Sequence, residues 1–289
     1  MSKPNALTAA ELKRHPLPPP EGGSKDDRGK LLIIGGSREV AGAPVITATA
    51  ALRVGAGKVT IATVASAAPQ LAMAVPEARV IGLTEGRDGA FARSTIAKLA
   101  ELAPDYDAVI AGPGMLPTAV ATKLAATLCE SGIPLALDAA LLLGLAPAEG
   151  AARGAEPIPI LLPHSGEMAA LLGCSEEAAE ADLLGSALEA AKRYQALVLA
   201  KGAESHIATP RGKSWKYRGG GPGLAISGSG DSLAGILGGL LARGCQPLTA
   251  LLWAVWLHGE AGRRLSKRIG EVGFLAREIP DEIPALLPA

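Results

Sequence analysis

The sequence predicts an α/β fold: a doubly wound, mainly parallel sheet with helices on both faces. Short apolar runs recur along the 289 residues, and stretches with helical spacing separate them. The runs are continuous rather than alternating, which is typical of strands that are buried on both faces. Glycine, proline or polar residues follow many of the runs, and such sheets bind ligands at the carboxyl ends of their strands. The pattern therefore predicts the fold class and the edge of the sheet that carries a site.

The individual elements follow from the same patterns. A buried strand is expected at residues 31–34, and further strands are expected at residues 58–63, 78–83, 108–111, 133–137, 158–162, 197–200, 205–208 and 214–217. Helices are expected at residues 45–54, 91–102, 117–130, 166–172, 176–194, 230–243, 248–268 and 276–287. Residues 1–28 contain a proline cluster and a charged turn, and predict a partly ordered N-terminal arm. Residues 29–289 contain neither an internal repeat nor a linker, so we expect a single domain there.

Composition and charge exclude several classes of protein. The core must be built from Ala, Leu, Val and Ile, because 48% of the residues are hydrophobic but only 3% are aromatic. Twenty-eight basic residues balance 28 acidic ones, which argues against a nucleic-acid partner or a polybasic membrane role. No apolar run is long enough to span a bilayer, and no signal core opens the sequence. Three widely spaced cysteines without a CxxC motif fit buried or free thiols, so we expect a cytoplasmic enzyme.

The stretch Gly228-Ser229-Gly230-Asp231 is the strongest local signal. It opens an apolar helix, whose first turn offers free N–H groups and a partial positive charge to a phosphate. The carboxylate of Asp231 would repel that anion unless it takes a proton from a hydroxyl that attacks it. On spacing alone, this interpretation and that of a favourable first-turn residue stay equally open.

Two adjacent glycines, Gly238 and Gly239, interrupt the same helix. An interior glycine costs a helix up to about 1 kcal/mol relative to alanine. The pair therefore predicts the close approach of another backbone.

Five further breaks are expected at the same edge of the sheet. They are residues 35–37, 112–114, 138, 163–167 and 201–202. Each is weak alone, since a glycine after a strand is usually a turn and a lone histidine is usually structural. The Gly55–Val59 stretch is not a P-loop, because Leu52 and Val59 break the motif. With no dinucleotide fingerprint, nucleophile elbow or zinc spacing, the cluster favours a kinase-type phosphate site of another lineage.

The chain resembles, over about residues 29–287, the ribokinase-like fold and within it the ADP- or ATP-dependent NAD(P)H-hydrate dehydratases. The order of the motifs and the Pro-His-x-Gly-Glu element carry the resemblance. The matching stretches are Gly35-Gly36-Ser37 with Gly42-Ala43-Pro44, residues 50–57, Pro76-Glu77, Gly112-Pro113-Gly114, Leu137-Asp138-Ala139, Pro163-His164-Ser165-Gly166-Glu167, Lys201-Gly202-Ala203, residues 222–225, residues 228–235 and Leu257-His258-Gly259 with Ala261-Gly262.

The resemblance implies a metabolite-repair lyase. It would phosphorylate the ring hydroxyl of the S-form of hydrated NADH or NADPH and then eliminate phosphate, giving NAD(P)H and, from ADP, AMP. Asp231 would be the base, and the N–H groups of Gly228, Ser229 and Gly230 would stabilise the phosphoryl group. The nucleotide would be held by Lys201, Gly202, Ala203, Glu204, Ser205 and Gly230, and the hydrated cofactor by Ala43, Gly114, His164 and Asp231. Glu167 would organise Mg²⁺ through water.

The chain departs from the family pattern at Ala140, Gly221 and Ile226, where polar side chains are usual, and these losses could lower activity or change the acceptor. The usual fused epimerase domain is not in the sequence, so we expect a separate epimerase, and we expect a homo-oligomer, with a tetramer suspected. Two alternatives stay open: a small-molecule kinase that releases a stable phosphoester, and a degenerate nucleotide-binding homologue. The sequence does not decide between ADP and ATP, or between NADH and NADPH.

Overall fold

The computed structural model describes residues 3–19, 24–145 and 149–288. Within these residues ten strands form one sheet. They are β1 (Asn5–Ala6), β2 (Lys30–Ile34), β3 (Lys58–Val64), β4 (Arg79–Leu83), β5 (Ala108–Ala111), β6 (Leu135–Leu137), β7 (Ile160–Leu161), β8 (Leu197–Ala200), β9 (Ser205–Ala208) and β10 (Ser214–Tyr217).

The α-helices of the described residues follow the strands in regular alternation through most of the chain. They are α1 (Ala9–Leu12), α2 (Gly42–Arg53), α3 (Ala68–Ala74), α4 (Thr95–Leu102), α5 (Ala119–Cys129), α6 (Ala140–Leu145), α7 (Glu149–Arg153), α8 (Ser165–Leu172), α9 (Glu176–Ala181), α10 (Leu183–Tyr194), α11 (Ser229–Ala242), α12 (Pro247–Arg268) and α13 (Ile279–Glu282). Every one of these helices is too short or too polar to cross a membrane.

The strand order is β1-β10-β9-β8-β7-β6-β5-β2-β3-β4. All neighbours from β8 to β4 are parallel, whereas β9 is antiparallel to both β8 and β10. The chain winds outward from β2 to β4 and then returns to place β5 on the other side of β2. This reversal is a topological switch point, beside which α/β sheets bind ligands. The predicted doubly wound, mainly parallel class is confirmed.

Several predicted elements are wrong in detail. The single helix predicted at 176–194 is divided at Asp182, whose carboxylate accepts the N–H of Gly185 at 2.8 Å and begins α10. The helix predicted at 276–287 is a series of short turns, because Pro280 and Pro284 restart it. The sequence did not predict β1, α1, α3, α6 or α7.

The described part of the N-terminal arm packs against the rest of the chain. β1 pairs with β10, and Leu7 and Leu12 are buried in the main core. The indole Nε1 of Trp253 donates to the carbonyl oxygen of His15 at 2.7 Å. Residues 5–15 are therefore more ordered than a loose arm, while the division into an arm and one domain stays a prediction.

Helix α11 lies unusually close to α2. A Cβ at Gly235 would stand 2.1 Å from the carbonyl oxygen of Thr47, and one at Gly239 would stand 2.8 Å from that of Ala51. A Cβ at Gly238 would instead meet the Ile110 side chain of β5 at 2.4 Å. The predicted backbone approach is confirmed at Gly239, and it seats α11 against both α2 and the sheet.

This contact gives a stability prediction. Changing Gly239 to Ala is expected to lower the free energy of unfolding by about 1–3 kcal/mol, because the added methyl overpacks the α2 contact. Chemical denaturation measures the change. The matched control is Gly150→Ala in α7, where nothing lies within 4 Å of the added Cβ and helix propensity favours alanine. An unchanged or raised stability of Gly239→Ala would contradict the packing argument.

Candidate active site

The predicted breaks lie at the carboxyl ends of five adjacent strands. β8, β7, β6, β5 and β2 are consecutive in the sheet. They are followed by residues 201–202, 163–167, 138, 112–114 and 35–37 respectively. The first turn of α11 reaches the same edge, since a Cβ at Gly230 would stand 3.8 Å from the Nζ of Lys201. The structure thus assembles one site from segments far apart in sequence.

Lys201 connects three acidic groups at this edge. Its Nζ lies 2.8 Å from Oδ1 of Asp138 and 3.9 Å from Oε2 of Glu167. Burial works against the charge of Lys201, but the carboxylates of Asp138 and Glu167 outweigh it and raise the pKa of the ammonium; the carboxylate of Asp231 adds to the effect. A charged ammonium is therefore fixed beside the start of α11, where an anion would bind.

His164 and Glu167 form the start of α8. His164 is the N-cap, and its Nδ1 accepts the N–H of Gly166 at 3.0 Å. Glu167 accepts the N–H of His164 with Oε2 at 2.9 Å, and its Oε1 lies 3.2 Å from Nε2 of the imidazole. Burial raises the pKa of Glu167, but the His164 hydrogen bonds and the charge of Lys201 bring it below its ordinary value. Glu167 is therefore an ionised capping residue.

These side chains do not fit a Mg²⁺ ion bound directly by the protein. Both carboxylate oxygens of Glu167 face His164. Among the described residues, no group of three or more His, Cys, Asp and Glu side chains could hold a metal ion. A Mg²⁺ ion held by protein side chains alone would need several oxygen ligands at close range, whereas an ion bound to nucleotide phosphates needs only one or two carboxylates. The water-mediated role of Glu167 stays a prediction.

The loop before α11 uses its two glycines differently. Gly228 is the N-cap with φ +89°, and a Cβ there would stand 2.8 Å from Cδ1 of Ile46. Gly230 has no such backbone requirement, and a Cβ there would meet only Lys201. No side chain of the described residues caps the helix. Gly228 therefore shapes the turn, whereas Gly230 leaves space open in front of the first N–H groups.

Asp231 has the electrostatics of a base rather than of an ordinary first-turn residue. Burial raises the pKa of its carboxyl to about 7, the charge of Asp138 adds to the effect, and Lys201 opposes it. A first-turn aspartate at the surface would have a lowered value, because the helix dipole stabilises its charge. A base is most effective when its pKa lies near the working pH. The geometry therefore favours the general-base interpretation.

A cavity of about 880 Å³ opens beside Lys201 and Gly230, and Asp231 is not among the residues that line it. Of the predicted nucleotide residues, Lys201, Gly202, Ala203, Ser205 and Gly230 line it, together with Ser229 and His164. Its other wall is mostly apolar and comprises Leu199, Tyr217, Pro222, Leu224, Leu233 and Val255. The side chain of Glu204 does not line the cavity, because it pairs with Lys216 at 3.0 Å and with Arg218.

The predicted cofactor residues fall into two groups. Ala43 and Gly114 adjoin each other, since a Cβ at Gly114 would stand 2.9 Å from that of Ala43. His164 and Asp231 lie instead around the Lys201–Asp138 pair. Gly112 links the groups, because its Cα packs so closely on Asp138 that a Cβ would stand 1.8 Å from the Asp138 carbonyl oxygen. The two groups thus meet at one edge of the sheet.

Comparison with known proteins identifies the family. Residues 31–285 match the family described as NAD(P)H-hydrate dehydratase. The chain belongs to the NAD(P)H-hydrate dehydratase family. It is 48% identical to an ADP-dependent (S)-NAD(P)H-hydrate dehydratase of Xanthomonas campestris over 97% of this chain and 95% of that protein. It is 36% identical to a bifunctional NAD(P)H-hydrate repair enzyme of Moorella thermoacetica, but spans only 53% of that protein's length.

Two solved structures agree with this chain in fold. The ADP/ATP-dependent NAD(P)H-hydrate dehydratase of Bacillus subtilis, co-crystallised with ATP/Mg²⁺, superposes with a TM-score of 0.82 at 26% identity. The match covers 99% of this chain and 98% of that chain. A ribokinase-like protein of Enterococcus faecalis gives the same TM-score at 24% identity, over 98% of this chain and 94% of that one. The predicted ribokinase-like fold is confirmed.

The three departures from the family pattern lie near the site in different ways. Gly221 and Ile226 line the cavity. Ala140 is buried at the start of α6 and follows Ala139, whose φ of +49° is unusual for a residue with a side chain. At these three positions the chain therefore offers no polar side chain to the cavity wall or to the turn beside Asp138, while the Lys201–Asp138 pair is present.

One residue of the site had no predicted role. His258 on α12 lines the cavity, and its Nε2 lies 3.0 Å from Oγ of Ser229. The sequence contains a signal for it, because Ala254, Leu257 and Ala261 place their face of α12 in the core. A histidine next to that face predicts a buried polar contact, but not its partner.

Proposed function

We propose that this protein is a nucleotide-dependent (S)-NAD(P)H-hydrate dehydratase. It restores NADH or NADPH from the S-form of the hydrated cofactor, with ADP as the phosphoryl donor and AMP and phosphate as the other products. One observation carries the proposal: the carboxyl of Asp231, with its pKa raised to about 7, stands at the uncapped start of α11 and beside a charged lysine. The 48% identical relative, named for this activity, supports the choice of substrate.

The residues of the chain have distinct tasks in this reaction. The oxygen of the ring hydroxyl attacks the terminal phosphorus of the nucleotide, and Asp231 takes the proton of that hydroxyl. The N–H groups of Gly228, Ser229 and Gly230 stabilise the charge on the phosphoryl group as it transfers, with the helix dipole behind them. Lys201 adds a positive charge. Its Nζ lies 2.8 Å from Oδ1 of Asp138, and this ion pair holds the ammonium in place beside the phosphates. The new phosphate then leaves the ring while the adjacent ring carbon loses a proton, and the double bond that forms between the two carbons restores conjugation.

The cavity suits a nucleotide. Beside Lys201, the small residues Gly202 and Ala203 leave room for phosphates near the start of α11. The apolar wall of the cavity suits the flat face of a purine. Mg²⁺ would arrive with the nucleotide and neutralise its phosphates, with Glu167 acting on the ion through water.

The partners follow from the substrate. Only one epimer of the hydrate is used, so we expect an epimerase to supply it; several relatives are named bifunctional NAD(P)H-hydrate repair enzymes. A homo-oligomer, with a tetramer suspected, and a cytoplasmic location complete the proposal.

Product analysis tests the proposed function. Purified protein is incubated with hydrated NADPH and ADP, and the completed reaction is followed by phosphorus NMR and by the absorbance of the reduced nicotinamide. We expect free phosphate, AMP and NADPH in equal amounts. A lasting phosphomonoester from a vitamin or sugar acceptor, without NADPH, would show a small-molecule kinase instead. ATP and hydrated NADH in parallel reactions determine the preferred co-substrates.

The pH dependence of turnover follows from Asp231. The carboxyl must be ionised to act as a base, and burial raises its pKa to about 7. We therefore expect kcat/KM, which reports the free enzyme, to fall about tenfold per pH unit below about pH 7 and to level off above it. The corresponding fall in kcat should begin at a higher pH, because the negative charge of bound phosphates raises the pKa of Asp231 further. Initial rates between pH 5.5 and pH 9 (roughly one and a half to two units either side of the pKa) measure both limbs. A flat profile would exclude Asp231 as the base.

A further inference from the structure

The side chain of His258 reaches the phosphate end of the cavity from α12. Its Nε2 lies 3.0 Å from Oγ of Ser229, and both residues line the cavity. Ser229 is the first residue of α11 and is only 6% exposed. The hydroxyl of Ser229 thus joins the imidazole to the first turn of α11 at the wall of the cavity.

The direction of this hydrogen bond depends on which ring nitrogen carries the hydrogen. Burial lowers the pKa of His258 to about 4, so that the ring is neutral at pH 7 and only one ring nitrogen bears a hydrogen. The 3.0 Å contact fits either a donor or an acceptor at Nε2, so the surroundings of the Ser229 hydroxyl decide between the two tautomers.

We propose that His258 is a positioning residue whose Nε2–H donates to Oγ of Ser229, so that the Ser229 hydroxyl directs its own hydrogen toward the nucleotide phosphates. In the opposite arrangement the hydroxyl would donate to His258, and its oxygen lone pairs would face the anion and repel it. The donating tautomer adds one hydrogen-bond donor to the N–H groups of the first turn. The inference rests on the proposed function in so far as the anion is the nucleotide.

Single and double variants test the proposal. Ser229→Ala removes the donor, and His258→Leu removes its orientation while keeping an apolar side chain in place. A hydrogen bond to a charged group is worth about 1.5–3 kcal/mol, so we expect Ser229→Ala to weaken ADP binding and lower kcat by about tenfold to a hundredfold. His258→Leu should lower ADP affinity and kcat in the same direction but by a smaller factor. Since both act through one hydroxyl, His258→Leu should cost nothing further in the Ser229→Ala background.

Two comparisons separate positioning from packing. His258→Gln offers an amide N–H near the position of Nε2 and should recover most of the loss in kcat and in ADP affinity. Ser266→Ala is the matched control, because Ser266 lies on the same helix and its buried hydroxyl has no hydrogen-bond partner among the described residues. It should leave kcat and ADP affinity unchanged. Thermal unfolding of each ligand-free variant checks that the fold is retained.

The tautomer is measured directly on the unmodified protein. Nitrogen NMR of ¹⁵N-histidine-labelled protein should show a neutral ring at His258, protonated at Nε2, and unchanged from pH 8 to roughly pH 5 because the pKa is about 4. An Nδ1-protonated ring, or fully additive losses in the double variant, would overturn the proposal. The affinity of each variant for ADP is measured by calorimetric titration, which needs no hydrated cofactor. If the titrations show the expected coupling but NADPH is not restored, the proposed function fails and the role of His258 stands.

Discussion

Replacement of Asp231 with Asn is expected to lower kcat by about 10²–10⁴, the usual contribution of a general base. The amide cannot accept the proton of the ring hydroxyl, while the N–H groups of the first turn and Lys201 remain in place. ADP binding should survive and become tighter at pH 8, because a negative charge beside the phosphates is lost. Steady-state kinetics and calorimetric titration with ADP measure the two effects separately.

The stability of the same variant provides an internal check. A carboxyl whose pKa is raised by burial is destabilising once it is ionised, so Asp231→Asn should unfold at the same or a higher temperature at pH 8. The matched control is Asp281→Asn, at a half-exposed carboxylate that pairs with Arg53 at 2.8 Å. It should leave kcat unchanged. Near-normal turnover of Asp231→Asn would reduce the carboxylate to a favourable residue at the start of a helix.

Replacement of Gly230 with Val is expected to abolish nucleotide binding while the fold is retained. The backbone of Gly230 requires no positive φ, and space is open around the added Cβ apart from Lys201. The valine methyl groups would fill the space in which the phosphates approach the N–H groups. The rise in melting temperature on adding ADP should therefore disappear. A thermal shift equal to that of the unmodified protein would place the nucleotide elsewhere.

The neighbouring glycine gives the contrasting result. Gly228→Ala forces a side chain into φ +89° and against Ile46, so that its main effect should be on stability. A non-glycine residue in this region costs about 1–2 kcal/mol before any steric contact is counted. Gly150→Val is the control for a glycine whose Cβ has free space away from the cavity. Gly228→Ala should therefore lose the most stability of the three variants, and Gly230→Val should lose about as much as the control.

The central parallel strands could be predicted because they are buried on both faces. β5 and β8 have the predicted bounds, and β2 begins one residue earlier. β1 could not be predicted, since it consists of two residues and forms only because Asn5 and Ala6 pair with β10, about 210 residues later in the chain. Propensity and periodicity describe local preference, and such a strand has almost none.

The site was predictable in its location but not in its contacts. Loops after strands mark the binding edge of a parallel sheet, so the positions of Lys201 and Asp231 could be assigned to it. Their roles depend on partners far away: Lys201 binds Asp138 across 63 residues, and Ser229 contacts His258 across 29. The raised pKa of Asp231 is also a property of burial, which no spacing reveals. The sequence alone left base and helix-start residue equally open for that reason.

The glycine contact between α11 and α2 has a consequence for the order of events at the site. From Ser232 to Ala242 every residue of α11 is buried, so we expect the amide hydrogens of this stretch to be among the slowest to exchange with solvent. The first turn of that helix holds Asp231. The loop at residues 219–226, much of it exposed, can open at far lower cost in free energy. We therefore expect the anion site, which this buried helix supports, to exist before any ligand arrives, and the loop in front of it to adapt to the nucleotide.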